Sequence, residues 1–178
     1  MFWIKVSQKN CGIRRSVCDT GGEGATAREV LRHKSVEKVV MVDIDQVVCD
    51  FCKLHLKENT AAFEDPRLVL ICKDARAELE NYDGKFDVII GDLADPVFGG
   101  PCYQLYTDDF YKNVVSPKLN DGGIFVTQSG PCGLLSSAEV FSSIHNTLKA
   151  TFADVIPYCT HIPSFCDEWV RSSVPLKP

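Results

Sequence analysis

Two carboxylates three residues apart, in Gly91-Asp92-Leu93-Ala94-Asp95-Pro96, follow directly on the apolar run 86–90. A pair placed this way grips a cationic amine, and one member can take up its proton. An alkylammonium has a pKa of about 10 and is no nucleophile until that proton leaves. The other reading is a turn that Asp92 or Asp95 caps and Pro96 shapes. A second cluster, Gly21-Gly22-Glu23-Gly24-Ala25, stands before a helical pattern. Glycines there let backbone approach a ligand and open the helix tightly. Gly22-x-Gly24-x-x-Ala27 has the form G-x-G-x-x-A, and Asp43 follows at about the twenty-residue spacing of a ribose-binding carboxylate. Any nucleotide-binding unit, a dehydrogenase included, has that spacing, and a plain tight turn has the same glycines. Glu23 repels a pyrophosphate, so the loop suits an adenosine without phosphates or a cationic sulfonium nucleoside.

These residues need elements to position them. The pattern predicts strands over 38–42, 68–72, 86–90, 124–127 and 155–158. Helices are predicted over 26–32 (with Thr26 as cap), 45–59, 75–80, 107–115 and 136–150. The 45–59 helix is expected to bury Val48, Phe51, Cys52 and Leu56 on one face. Strands separated by helices of this length form parallel βαβ units, hence an α/β fold with an open, mostly parallel twisted sheet. Ligands of such sheets sit outside the carboxyl ends of the strands. Asp43, Asp74 and Asp92 all fall at that edge.

A net charge of -5 and a pI near 5.3 argue against nucleic acid or an anionic membrane as partner, and mildly favour a cationic ligand. No apolar stretch reaches the roughly 18 residues of a membrane span. The first twenty residues are basic, with no apolar core or cleavage-like site after them, and a cytoplasmic protein is expected. Nine cysteines in a chain of 178 residues, an odd count, read as reduced thiols. Cys49-x-x-Cys52 with His55 falls within a helical pattern and reads as half-buried helix thiols; no metal site is expected.

At this point the residues resemble a known family. GGEGATAREVLRHKSVEKVVMVDID, KDARAEL and FDVIIGDLADPVFGGPCYQLYTDDFY are similar to the aminopropyltransferases, the spermidine/spermine synthase family. LADPVFGGPCYQLYT is most similar to the thermospermine branch found in plants. The resemblance implies a Rossmann-like, class I methyltransferase-like fold with no permanently bound cofactor. The implied co-substrate is decarboxylated S-adenosylmethionine, whose aminopropyl group passes to a polyamine, spermidine or putrescine, releasing methylthioadenosine. By resemblance, Asp92 is the proton acceptor, and Glu23 and Asp95 hold the cationic chain. Asp43 binds the ribose within the Gly22 and Gly24 loop, Asp74 and Ala75 contact the adenine, and Pro101 flanks it. Gln128 and Tyr158 fall at the acceptor site. The family also implies a homodimer, whose contact its N-terminal hairpin domain builds.

The chain departs from the family at both ends. Residues 1–20 read as an atypical segment, because Arg14, Arg15 and Asp19 suit a doubly buried first strand poorly. Residues 21–169 read as the catalytic core. Residues 170–178, with two prolines, read as an irregular tail lacking the last strand. The expectation is therefore an aminopropyltransferase core without the hairpin domain, with a weakened dimer contact. Beside it stand a family member that keeps the fold without catalysis, and another nucleoside-dependent transferase.

Overall fold

The computed structural model describes residues 15–19 and 21–175, with side chains from residue 21 onward. Seven strands form one sheet in the order β3-β2-β1-β4-β5-β7-β6. They are β1 (Arg15–Asp19), β2 (Lys38–Asp43), β3 (Leu68–Cys72), β4 (Phe86–Gly91), β5 (Leu119–Pro131), β6 (Ile156–Ile162) and β7 (Asp167–Pro175). Neighbours from β3 to β5 pair parallel, and β7 runs antiparallel between β5 and β6. The sheet places β1 at the switch point, where the chain leaves one half and begins the other. Ligands of open α/β sheets collect outside the strand ends there.

Helices cover both faces. On one side α1 (Ala25–Leu31) and α3 (Thr60–Phe63) pack Ala27, Val30 and Ala62 on Val39, Met41, Val88 and Ile90. On the other, α4 (Ala75–Asn81), the stretch from α5 (Asp108–Phe110) to α6 (Ser116–Lys118), and α7 (Phe141–Thr151) cover Val40, Val42, Ile89 and Phe125. The alternation of Val39 and Met41 with Val40 and Val42 is the two-residue period of a strand buried on both faces.

Several expectations need correction. β1 exists and is central: Arg15 pairs with Lys38 and Asp19 with Gly91. Its charged residues stand at the two ends of the strand, and Ser16, Val17 and Cys18 fill the interior; Arg14 and Thr20 lie outside the described residues. The segment read as an irregular tail is β7 as far as Pro175; residues 176–178 lie outside the described residues. Pro175 sits at the strand terminus, where the missing N–H costs least.

The helix of 45–59 is broken into α2 (Gln46–His55), a 3-10 turn at Lys57–Asn59 and α3. Asp45 caps α2 by accepting from the Val47 and Val48 N–H groups. The buried positions of α2 are Cys49 and Cys52, whereas Val48 is 43% and Phe51 59% exposed. The expected apolar face is therefore rotated, and only Cys52 of its members is in the core. Thr26 does not cap α1; Gly24, with φ 79, takes that place without a side-chain bond. Between 107 and 118 the helix contains a π segment, Tyr111–Val115, and Thr107 caps it through its hydroxyl. The predicted 136–150 helix begins only at Phe141; before it the Ser136 and Ser137 N–H groups close a turn on the Gly133 carbonyl, and the Ser136 hydroxyl donates to Asp167 on β7.

Candidate functional site

Three strand ends and one loop build the site. β2 ends at Asp43, and its carboxylate is pinned from two sides: Gly22 N–H donates to Oδ2 at 3.0 Å and Asp45 N–H to Oδ1 at 2.8 Å. Gly22 is required there, since a Cβ would stand 2.6 Å from Oδ2 and 3.2 Å from Cys49 Sγ. The loop is also held from the far side, where Asn59 Nδ2 donates to the Glu23 carbonyl and Asn59 Oδ1 accepts from Arg28 at 2.6 Å.

Beyond β4, Asp92 receives two donors. The Thr26 hydroxyl gives to Oδ2 at 2.9 Å, and Arg171 Nη2 to Oδ1 at 2.8 Å. Arg171 rides on β7 and is 7% exposed, so the strand that carries it delivers a buried cation to the β4 edge. Asp95 accepts from Gln128 Nε2 at 2.6 Å. The other end of that amide, Gln128 Oε1, accepts from Trp169 Nε1 at 2.9 Å and from Gly130 N–H at 2.6 Å. The amide is thus fixed in one orientation, and β5, β7 and the loop after β4 are locked together.

These groups surround one cavity of about 510 Å³. Glu23, Asp92, Asp95 and Gln128 all line it, which is the grouping expected from the sequence. Four carboxylates face two guanidinium groups around it, an excess that favours a cation. Burial raises the Glu23 carboxyl above its ordinary range, and the nearby charges of Asp92 and Asp43 add to this; its own backbone hydrogen bond and Arg171 work against it. Two of its lining residues are aromatic: the Phe165 and Trp169 rings are tilted at 53°, with centroids 4.7 Å apart.

The remaining expected residues are not among those that line this cavity. Asp43 reaches it through the Gly22 loop, one residue from Glu23. Tyr158 pairs in register with Arg171, and burial raises its hydroxyl pKa, with Arg171 and Asp92 as further influences. Asp74 caps α4 through Ala77 N–H at 2.8 Å and accepts from Gln104 at 3.3 Å, with Ala75 opening the helix beside it. Pro101 sits exposed in a turn and does not line the cavity.

Sequence reasoning missed Arg171, Trp169 and Phe165. All three belong to the hairpin β6–β7, whose second strand was read as irregular. The signal was the alternation in Trp169-Val170-Arg171-Ser172-Ser173-Val174, where an arginine within a strand pattern announces an acidic partner elsewhere.

No helix among the described residues is long and apolar enough to cross a membrane. Comparison with known proteins agrees with the geometry. The chain is 58% identical over 149 residues to thermospermine synthase ACAULIS5 of Arabidopsis thaliana, covering 84% of this chain and 44% of that protein. It is 43% identical over 151 residues to a polyamine aminopropyltransferase of Aeropyrum pernix, covering 84% and 47%. Spermidine synthase from Thermotoga maritima superposes with a TM-score of 0.80 at 25% identity, over 92% of this chain and 54% of that one. A spermidine synthase in complex with the transition state analogue AdoDATO superposes with a TM-score of 0.82 at 26% identity, over 92% and 55%. The chain spans about half the length of the curated relatives it matches. The Spermine/spermidine synthase domain matches residues 19–177, and the chain belongs to that family, with its Rossmann-like fold.

Proposed function

We propose that this chain transfers an aminopropyl group from decarboxylated S-adenosylmethionine to a polyamine, spermidine to thermospermine, with methylthioadenosine as leaving group. The observation that carries the reading is the acidic cavity in which Glu23, Asp92, Asp95 and Gln128 converge beside the Gly22–Asp43 loop. Asp43 takes the ribose hydroxyls and Asp74 the adenine, which leaves the sulfonium chain pointing toward Asp92. Asp92 accepts the proton of the acceptor ammonium. The freed lone pair attacks the methylene beside sulfur, the carbon–sulfur bond breaks, and the pair of electrons leaves on methylthioadenosine as a neutral thioether. A positioned carboxylate contributes about 10²–10⁴-fold to such a step, and alignment of the two substrates contributes more. Asp95 and Glu23 hold the amine chain, with Gln128 and Tyr158 at its far end. A cytoplasmic setting is inferred from the acidic charge and the free thiols.

A second reading is nucleoside binding without transfer. Arg171 favours it, because its guanidinium stands against Asp92 where the acceptor amine would approach. One experiment separates the two. The chain is incubated with decarboxylated S-adenosylmethionine and either putrescine or spermidine, and the polyamines are resolved by chromatography beside a full-length synthase. A longer polyamine appearing together with methylthioadenosine is the expected result. Methylthioadenosine binding without product, beside a working control, would establish the second reading.

A further inference from the structure

Outside the cavity, two thiols and a carboxylate meet on the far side of the β6–β7 hairpin. Cys132 directly follows β5, Cys159 lies within β6, and Glu168 is near the start of β7. The Cys132 N–H donates to the Glu168 carbonyl at 2.8 Å, which hangs the end of β5 on β7. The two Sγ atoms stand 2.9 Å apart, and Cys159 Sγ is 3.7 Å from Glu168 Oε2. That separation is inside the non-bonded contact of two sulfurs and about 0.9 Å longer than a disulfide bond. Cys159 is exposed and Cys132 half-buried, whereas Cys49 and Cys52 are buried under α2. A dissolved oxidant therefore reaches the Cys132–Cys159 pair before those.

We propose that Cys132 and Cys159 form a modification site, a spatially paired dithiol that a small-molecule disulfide of the glutathione type converts to an intramolecular disulfide. The Cys132 thiolate attacks one sulfur of the oxidised tripeptide, forming a mixed disulfide and expelling one thiolate. Cys159 then gives its proton toward Glu168 and attacks the Cys132 sulfur. The Cys132–Cys159 bond forms, a second thiolate leaves, and both leaving thiolates take up protons. The protein loses two electrons and two protons, and the tripeptide disulfide gains them. Glu168 Oε2, 3.7 Å from Cys159 Sγ, suits Cys159 to the second step, where its proton must leave; desolvation, the bond with Cys132 and Glu168 push the Cys159 thiol up. Cys132 N–H bonds Glu168 and Cys159 pairs with Val170, so the bond would span β7 across Trp169, whose indole holds Gln128, and would stiffen the wall of the cavity. The site is independent of the transferase reading.

The test uses the intact chain, equilibrated in mixtures of reduced and oxidised glutathione, quenched with N-ethylmaleimide, digested without reductant and mapped by mass spectrometry. Increasing oxidation should yield one pair of peptides joined through Cys132 and Cys159, lighter by two hydrogen atoms, while the isolated Cys166 appears only as an adduct. Cys159→Ser should leave Cys132 as the glutathione mixed disulfide, and Cys132→Ser should remove the crosslink without blocking Cys159. The wild-type map needs neither variant to fold. Alkylation of both thiols at every ratio would overturn the proposal, as would a Cys159–Cys166 crosslink. Protection of both thiols by added zinc, reversed by EDTA and with no crosslink in oxidising buffer, would overturn it in favour of a cation site.

Discussion

Arg171 and Asp92 are 79 residues apart and meet at 2.8 Å, so the chemistry of one carboxylate depends on a strand laid down much later in the chain. Removing the guanidinium leaves Asp92 facing Glu23 and Asp95 with less positive charge to offset them. Arg171→Gln should therefore cost roughly 1–3 kcal/mol of stability, and spermidine should raise the melting temperature of the variant more than that of the parent. Asp92→Asn should lower turnover by about 10²–10⁴-fold while isothermal titration shows methylthioadenosine bound as before. Asp43→Ala should instead weaken that binding, because its carboxylate anchors the Gly22 loop and, in the proposed function, takes the ribose hydroxyls. Equal loss of binding in both variants would refute the division of labour. Glu23 gives a pH signature. Its carboxyl is raised in the fold above the ordinary 4.5, mainly by burial, so the folded chain holds that proton to higher pH than the unfolded one does. Stability tied to Glu23 is full below the unfolded value and falls as pH rises through the folded one. Glu23→Gln should accordingly raise the melting temperature at neutral pH, with the gain vanishing below about pH 4.

At the scale of elements, the loop before α1 was legible because its chemistry is local. Gly24 has φ 79, and a Cβ there would stand 2.8 Å from the Phe63 ring. Gly24→Ala is expected to cost about 1–2 kcal/mol for the left-handed conformation alone, more once Phe63 must move, and chemical denaturation would measure it. The strand ends at Asp43, Asp74 and Asp92 were equally plain, since an apolar run followed by an acid needs no tertiary context. What the periodicity did not reveal was the rotation of α2. Val48 and Phe51 share a helical stripe with Cys52, but the face that is buried carries Cys49 and Cys52, and the helix ends at His55 with Val48 and Phe51 still exposed. Charge in a strand also misled. Arg15 and Asp19 are the terminal residues of β1, and on β7 Arg171 carries its own counter-ion in Asp92.

For the molecule as a whole, the class of fold followed from the alternation of elements, whereas the identity of the last partners did not. The antiparallel insertion of β7 between β5 and β6 joins segments with no local signal for one another. The core under that region is tight: Leu148 on α7 is fully buried with Phe125 and Tyr111. Leu148→Ala should cost about 2–5 kcal/mol in equilibrium unfolding, and by loosening α7 rather than the rim it should leave the affinity for methylthioadenosine nearly unchanged. Among the described strands β6 pairs only with β7, so it is an edge strand of the sheet. β7 carries Trp169 and Arg171, and Phe165 lies in the turn that joins the two strands. One wall of the cavity is thus hung on the sheet's edge. Amide exchange should find β6 the first strand to open, and a bound nucleoside or amine should slow that opening, so that occupancy is read directly as protection at the sheet's far edge.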